Sequence, residues 1–348
     1  MIPWKPADAT GVGSMPGTSA REAARIVAGE LPGFLHVVEL PQRGPGADMI
    51  GRTGGMLARV SSGLGLETTP DGWRLAGGVG RQMRRAWSFL GEDLDALEET
   101  AQGYGGPVKC QVTGPWTMAA SVELPSGERA LKDAGATREI AEALGEAIRE
   151  QVADLRRRVP MAAAVLVQLD EPALPTVLAG RIGTASGLSS YAPVDEQVAG
   201  RVLAAVMDTV RDVEAMPGVH CCAGEVPFRL LTSSGAEFLS VDITRLDAEG
   251  DEGIGQAWES GVGILAGTVP SSGLGRMGDA RASAPLRDLM SRVGLSDETA
   301  LSRLAVTPTC GLAGASPNWS REALTACRAV GRVVRNDEER TTEDEPDA

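Results

Sequence analysis

Eight short apolar segments alternate with helix-forming segments along the chain, and this alternation restricts the fold more than any other feature of the sequence. Each segment ends at Gly, Pro or a polar residue, which is typical of a buried strand. The segments are Thr10–Met15, His36–Leu40, Pro107–Thr113, Val165–Asp170, Val219–Ala223, Phe238–Ile243, Val262–Thr268 and Leu304–Thr309. Eight strands that alternate with helices predict an α/β fold, the (β/α)8 or TIM barrel.

The segments between the strands carry the apolar spacing of amphipathic helices. After the second strand, residues from about 42 to 106 hold a Pro/Gly-rich loop and more than one helical stretch, and we expect an insertion on the barrel there. The chain is therefore expected to form one catalytic domain over residues 1–334. Residues 335–348 are polar and acidic, which predicts a disordered tail.

The charge and the apolar pattern exclude some partners. With 47 acidic and 33 basic residues the net charge is −14, and the arginines are scattered, which argues against nucleic acid and acidic membrane surfaces. No apolar run approaches the roughly 20 residues of a membrane span, and the N-terminus has no secretion signal pattern. We therefore expect a cytoplasmic protein, in which the five cysteines are ligands, nucleophiles or core thiols rather than disulfides.

One of only two histidines lies beside two cysteines in Val219-His220-Cys221-Cys222. Because side chains alternate along a strand, His220 and Cys222 are expected on one face and Cys221 on the other. Imidazole nitrogen and thiolate sulfur are ligands that Zn²⁺ prefers, and two more would be needed. The alternative is a buried strand in which the cysteines pack as small apolar side chains and His220 is hydrogen-bonded.

Polar residues follow several of the predicted strands. The carboxyl ends of barrel strands form the face that carries active sites, so these residues are candidates for the chemistry. They are Ser14, Asp170, Glu171, Cys222, Asp242, Thr268 and Cys310. Lys109, inside a strand, has two interpretations: a Schiff-base nucleophile, or a structural residue, which we favour.

Five motifs, taken in order, make the chain resemble the C-terminal catalytic barrel of the cobalamin-independent methionine synthases. They are Gly11-Val12-Gly13-Ser14, Thr113-Gly114-Pro115, Gln168-Leu169-Asp170-Glu171-Pro172-Ala173-Leu174, His220-Cys221-Cys222 and Pro308-Thr309-Cys310-Gly311-Leu312. The resemblance covers nearly the whole chain. It is to the catalytic barrel alone, without the N-terminal barrel that the long forms of the family carry. It implies a zinc-dependent methyltransferase that moves a methyl group to the thiol of homocysteine, giving methionine.

The resemblance also implies roles for individual residues. His220, Cys222 and Cys310 would be zinc ligands, with Asp242 where the family usually has Glu. Gly13, Ser14, Asp170 and Glu171 would bind the amino-acid part of homocysteine, with Asp170 accepting from its ammonium group. A second family carboxylate that contacts this ammonium is missing, because Gly51 ends the segment Asp48-Met49-Ile50-Gly51.

Two further departures concern the methyl donor. The family's catalytic His on the seventh strand, the acid for methyl-tetrahydrofolate, is replaced by Thr268, and its folate-stacking Trp by Ser121. Threonine cannot act as an acid near neutral pH, whereas a corrinoid leaves without a proton. We therefore expect methylcobalamin or a corrinoid protein as donor ahead of a methyl-folate, for which Trp116 or a water held by Thr268 would have to compensate for the missing acid.

Other functions fit the same residues. They are a different zinc-dependent alkyl transfer to a thiol, a reaction of the uroporphyrinogen decarboxylase type, and noncatalytic binding of zinc or an amino acid.

Overall fold

The computed structural model describes residues 2–295 and 297–344, with side chains described up to residue 337. Within these ranges the strands, in chain order, are β1 (Asp8–Ala9), β2 (Leu35–His36), β3 (Leu66–Thr69), β4 (Gly72–Leu75), β5 (Pro107–Thr113), β6 (Val122–Glu123), β7 (Ala164–Asp170), β8 (Met216–Cys221), β9 (Phe238–Asp242), β10 (Gly263–Val269) and β11 (Leu304–Pro308).

The main sheet has eight strands in the order β1-β11-β10-β9-β8-β7-β5-β2, and its neighbouring strands are parallel. An isolated parallel bridge between Ser14 and Glu39 joins the two ends of this order. At this bridge the Met15 amide donates to the Glu39 carbonyl (2.8 Å) and the Glu39 amide donates to the Gly13 carbonyl (3.2 Å). The sheet thus curls into a barrel, and the predicted TIM barrel fold is confirmed.

The first predicted strand, Thr10–Met15, differs most from the structure. Regular pairing ends at Ala9, and the chain rejoins the sheet only at Ser14. The reason is close approach of side chains from neighbouring strands: a Cβ atom at Gly11 would overlap the His36 ring, and one at Gly13 would lie 2.5 Å from the Gln111 side chain. The glycines give room for these side chains at the expense of regular strand geometry.

Helices surround the barrel. They are α1 (Ala20–Glu30), α2 (Met49–Val60), α3 (Arg81–Thr100), α4 (Pro115–Ser121), α5 (Ala134–Arg158), α6 (Leu174–Leu178), α7 (Glu196–Asp212), α8 (Phe228–Ser233), α9 (Ala248–Glu259), α10 (Asp279–Val293), α11 (Glu298–Ser302) and α12 (Pro317–Asp344). Several begin at a Ser or Asp whose side chain accepts from a backbone amide of the first turn, as helix N-caps do. None of the described helices is both long and apolar enough to cross a lipid bilayer.

Residues 42–106 contain α2, the antiparallel hairpin β3–β4, and α3. α3 packs against α1 and α2, and α2 packs against α5 and β5. The two helices therefore belong to the layer around the barrel. The hairpin lies beside β6 in a separate three-stranded sheet.

The end of the chain differs from its prediction. α12 continues to Asp344, so residues 335–344 are helical where the acidic composition predicted disorder; residues 345–348 lie outside the described part. Val334 is buried, and Arg335 donates to the carbonyls of Pro6 (2.8 Å) and Ala7 (2.9 Å). A helix anchored this far extends at little cost through the Glu and Arg residues that follow.

Inside the barrel, apolar and polar residues occupy different levels. One end is filled by a cluster that includes Trp4, Phe34 and Phe238, with Trp4 and Phe34 stacked at 5.4 Å. Further along the same strands, Lys109 and Gln168 are fully buried. This polar level supports the residues at the carboxyl ends of the strands.

Candidate active site

Three ligand-type side chains meet at the carboxyl end of the barrel. His220 lies on β8, Cys222 directly after it, and Cys310 in the turn after β11. Their ligand atoms lie within 4.8 Å of one another, with Cys310 Sγ 3.2 Å from Cys222 Sγ and 3.8 Å from His220 Nε2. Zn²⁺ binds sulfur at about 2.3 Å and imidazole nitrogen at about 2.0–2.1 Å, so two thiols and one imidazole at these separations fit such an ion.

The orientation of the His220 ring leaves one nitrogen available to a metal. Its Nδ1 lies 3.1 Å from the main-chain oxygen and 3.0 Å from the hydroxyl of Ser240, the residue paired with it on β9. Because a carbonyl can only accept, this contact makes Nδ1 the protonated nitrogen. Nε2 then carries the lone pair and faces the cysteines, and Ser240 acts as the orienting partner that metal-binding histidines commonly have.

The two thiols share a proton. The Cys222 thiol donates to Cys310, which lowers the pKa of the Cys310 thiol and raises that of Cys222. A thiolate at Cys310 is the form that binds metals. By contrast, Cys221 faces the opposite side of β8, is fully buried, and has its pKa raised by burial to about 12.

Asp242 is not among the grouped ligand atoms. It ends β9, and its Oδ1 accepts from the Thr244 amide (3.0 Å) and the Thr244 hydroxyl (2.6 Å). The carboxylate therefore caps the 3₁₀ turn Ile243–Arg245. The structure brings together three of the four side chains expected to bind a metal.

Asp170 ends β7 and is paired with His220 in the sheet register, so both side chains lie on the same face. Its Oδ1 accepts from Gln168 Nε2 (2.7 Å), and Gln168 Oε1 accepts from Lys109 Nζ (2.8 Å). Lys109 and Gln168 also donate to the Val12 carbonyl, at 2.7 Å and 3.0 Å. Burial raises the pKa of Asp170, whereas His220, Gln168 and Lys109 lower it.

In this network Lys109 connects two segments of the barrel through hydrogen bonds. Burial lowers its pKa to about 8, and both of its described hydrogen bonds go to acceptors. The amine joins the segment before Gly13 to the strand that carries Asp170. That arrangement agrees with the structural interpretation of Lys109.

The Glu171 carboxylate is fully buried and is hydrogen-bonded to the backbone and side chain of neighbouring residues. It is 0% exposed, and Oε1 accepts from the Trp116 amide (2.9 Å) while Oε2 accepts from the Thr117 amide (2.8 Å) and hydroxyl (2.7 Å). Burial raises its pKa to about 7, and the bonds from Thr117 and Trp116 oppose this. A Cβ atom at Gly114 would overlap this carboxyl group, which explains the glycine of Thr113-Gly114-Pro115. Glu171 thus fixes the start of α4.

Gly13 and Ser14 lie where the barrel closes, beside the turn that holds Cys310. Ser14 pairs with Glu39 across the barrel closure, and its carbonyl accepts from the Leu312 amide (2.8 Å). Its side chain occupies the space where Gly311, next to Cys310, would carry a Cβ atom. Ser14 is therefore in contact with the turn that holds Cys310.

Thr268 lies at an irregularity of β10, where the register against β11 shifts between Gly267 and Val269. It is buried, and its hydroxyl has no hydrogen-bond partner among the described residues. A buried hydroxyl without a protein partner is a suitable contact for a water or a ligand.

Sequence reasoning missed Glu39, which follows β2 and is 6% exposed. It also missed the neighbouring ion pairs, in which Arg52 and Arg43 both donate to the buried Asp93. The signal for Glu39 was present in the sequence, because the residue lies near the end of the predicted strand His36–Leu40. The other histidine, His36, is fully buried, accepts from the Gly11 amide, and has its pKa lowered by burial to about 3, so it is neutral.

The chain is similar to one protein family and to solved barrel structures. The profile of the family described as cobalamin-independent synthase, catalytic domain, matches residues 96–332. Among solved structures, a B12-independent methionine synthase from Shewanella sp. W3-18-1 in complex with selenomethionine is similar, with a TM-score of 0.60 and 15% identity over 95% of this chain and 98% of that one. Methylaspartate ammonia lyase from Clostridium tetanomorphum has a TM-score of 0.49 and 9% identity over 98% of this chain and 61% of that one.

No curated protein sequence matches the chain significantly. The family profile nevertheless covers more than half of the chain and includes β5 and β7 to β11, with Asp170, His220, Cys222 and Cys310. The chain therefore belongs to the family of cobalamin-independent synthase catalytic domains and is an enzyme of the methyltransferase class.

Proposed function

We propose that the chain transfers a methyl group to the thiol of homocysteine and so forms methionine, with Zn²⁺ bound by His220, Cys222 and Cys310. The observation that carries this proposal is the convergence of these three side chains at the carboxyl end of a barrel of this family. When bound, Zn²⁺ would hold a thiol, whose free pKa is about 8.5, in its nucleophilic thiolate form. Three protein donors are typical of catalytic rather than structural zinc sites.

The other residues would bind and orient the substrate. Asp170 lies beside His220 and would accept from the ammonium group, while Gln168 and Lys109 keep its carboxylate in place. Gly13 and Ser14, beside the Cys310 turn, would contact the amino-acid part. The sulfur then attacks the methyl carbon; a carbon–sulfur bond forms, and the electron pair of the broken bond leaves with the donor.

A methionine-like ligand is supported by one relative. The Shewanella protein is a methionine synthase whose structure contains selenomethionine. We place the reaction in the cytoplasm, because Cys222 and Cys310 lie close together as free thiols and must stay reduced to bind a metal.

For the methyl donor we propose methylcobalamin or a methylated corrinoid protein ahead of methyl-tetrahydrofolate. The folate nitrogen must gain a proton as it leaves, whereas the reduced cobalt of a corrinoid departs without one. The residue at the expected position of the acid is Thr268, whose hydroxyl does not ionise near neutral pH. It is buried and free to hold a water.

Metal analysis and turnover test the proposal. Protein purified without chelator should contain about one zinc per chain, and Cys222→Ser and Cys310→Ser should lose most of it. Full zinc in both variants would exclude this site. Cys327→Ser, which changes a fully buried thiol on α12, is the matched control and should keep its zinc.

Assays with homocysteine and either methyl donor then test the reaction. Methionine formation from methylcobalamin and not from methyl-tetrahydrofolate is the expected result. Turnover with methyl-tetrahydrofolate alone would refute the donor and leave the acceptor intact. A chain that binds zinc and homocysteine but turns over with no methyl donor would instead be a binding protein.

A further inference from the structure

We infer that the chain forms a symmetric dimer with a second copy of itself, through a face made by α5, α7 and the hairpin of residues 183–190. This inference is independent of the proposed function. It is drawn from a groove between the two helices, an exposed leucine held at the rim of the groove, and charged side chains of both signs that lack partners along it.

The groove has a volume of about 920 Å³ and runs between α5 and α7, on the outer side of the barrel. The two helices touch at one end of it, where a Cβ atom at Gly145 would lie 3.1 Å from the Thr209 hydroxyl. The Trp116 indole donates to the Ala199 carbonyl (3.2 Å) and belongs to this groove rather than to the cluster of metal ligands. The other large apolar side chains that line the groove are Val60, Leu131, Val194, Val198 and Val202. An open groove with this apolar lining is typical of a protein contact.

A leucine is exposed at the rim of this groove. Leu188 is 91% exposed, near the end of a hairpin that is closed by a bridge between Gly183 and Ser190. Within the hairpin the Thr184 amide donates to the Ser189 carbonyl (2.9 Å). The turn that presents Leu188 is therefore already ordered, and an ordered turn loses little conformational freedom when a partner binds it.

Tyr191 connects the hairpin to the groove. Its hydroxyl accepts from the Arg129 amide (2.9 Å), two residues before Leu131 of the groove. Three residues after Tyr191, Val194 lines the groove just before α7 begins. The exposed leucine and the groove thus lie on one face, so two copies related by a twofold axis can each place Leu188 in the groove of the other.

The charges along the groove fit a copy of the same surface. Four exposed side chains on its rims make no hydrogen bond and no ion pair in the part of the chain that the structure describes: Arg138, Glu139 and Glu142 on α5, and Arg201 on α7. By contrast, Arg149, further along α5, pairs with Asp212 of α7 (3.2 Å). A rim of one sign would suit a partner of the opposite sign, whereas both signs on one face suit a second copy.

The twofold axis brings α5 of one copy against α7 of the other. Glu142 of each copy then faces Arg201 of the other, and the same pair forms twice. Since the net charge of −14 makes two copies repel each other at a distance, such opposite charges at the contact are what a dimer of this chain requires.

Sedimentation velocity of the full chain tests the inference, at concentrations up to about 100 μM, where a Kd of that order is detected. The wild type should sediment as a dimer of the 36.1 kDa chain. Leu188→Asp and Arg201→Glu should each raise the dimer Kd by about tenfold or more. Arg201→Glu combined with Glu142→Arg should restore the dimer, because opposite charges face each other again. Thermal melting of each variant checks that the fold is kept.

Leu274→Asp is the matched control. Leu274 is 94% exposed, in the loop after β10, and β10 is three strands away from β7 in the sheet. Its replacement should leave the dimer unchanged. A wild type that stays monomeric at the highest concentration would overturn the inference. A dimer that neither Leu188→Asp nor Arg201→Glu weakens, or that Leu274→Asp weakens as much as Leu188→Asp does, would also overturn it.

Discussion

Glu171→Gln is expected to weaken the fold without weakening substrate binding. The Glu171 carboxylate accepts three hydrogen bonds from Trp116 and Thr117 at the start of α4. A glutamine can keep the two bonds from Thr117 through its carbonyl oxygen. Its NH₂ group then faces the Trp116 amide, so one buried donor loses its acceptor.

The size of the effect follows from this one bond. A buried donor that loses its acceptor costs about 1–3 kcal/mol. For 348 residues the entropy of unfolding is about 0.7 kcal/mol/K, so the Tm should fall by about 1–4 °C. The measurement is made at pH 5, below the pKa of about 7 to which burial raises Glu171, so that the cost of ionising this buried group does not offset the lost bond.

Asp170→Asn provides the matched comparison, because Asp170 is the preceding residue on β7. It should lose homocysteine affinity by about tenfold or more with a smaller change in Tm. Calorimetry and thermal melting of both variants separate the two roles. A Glu171→Gln protein with unchanged Tm and lost homocysteine affinity would refute the structural role and restore the substrate-binding one.

Two further predictions concern carboxylates. Asp242→Ala should keep its zinc and lose about 0.5–2 kcal/mol of stability as a lost cap; loss of the metal would instead identify Asp242 as a ligand. Burial raises the pKa of Glu39 from 4.5 to about 7, so the folded state binds the extra proton, and this group's stabilising effect falls as the pH rises from about 4.5 to 7. His36, with its lowered pKa, acts in the opposite direction below pH 6.5, so the comparison is between wild type and Glu39→Gln in denaturant titrations. Between pH 4.5 and 7 the wild type should lose up to about 3 kcal/mol relative to Glu39→Gln, and parallel curves would contradict the burial of a neutral Glu39.

The barrel could be predicted because its signals are local. Short apolar runs such as Pro107–Thr113 end at Gly or Pro, and the structure has β5 over the same residues. The first strand was misplaced because its path depends on His36 and Gln111, which approach Gly11 and Gly13 from other strands. Glycine in a strand signals a close approach, but the sequence does not say from which side.

The site was predictable to a similar degree. His220, Cys222 and Cys310 meet because strand ends converge at one face of a barrel, whatever their separation in sequence. The engagement of Glu171 depends on Thr117, which is 54 positions away, and no pattern of the sequence joins them. Asp242 was different, since its partner Thr244 is two residues on and an Asp two or three residues before a turn amide is a known cap.

The barrel closes between its first two strand segments through the single bridge of Ser14 and Glu39, which is its least extensively paired position. In the part of the chain that the structure describes, two backbone hydrogen bonds hold it, from the amides of Met15 and Glu39, whereas β5 and β7 are paired along their full lengths. Local opening of the sheet should begin at this bridge. The amides of Met15 and Glu39 should therefore exchange with deuterium sooner than those of β7. A ligand in contact with both Ser14 and Glu39 would hold the two ends of the sheet together. Ligand binding and closure of the barrel would then be thermodynamically linked.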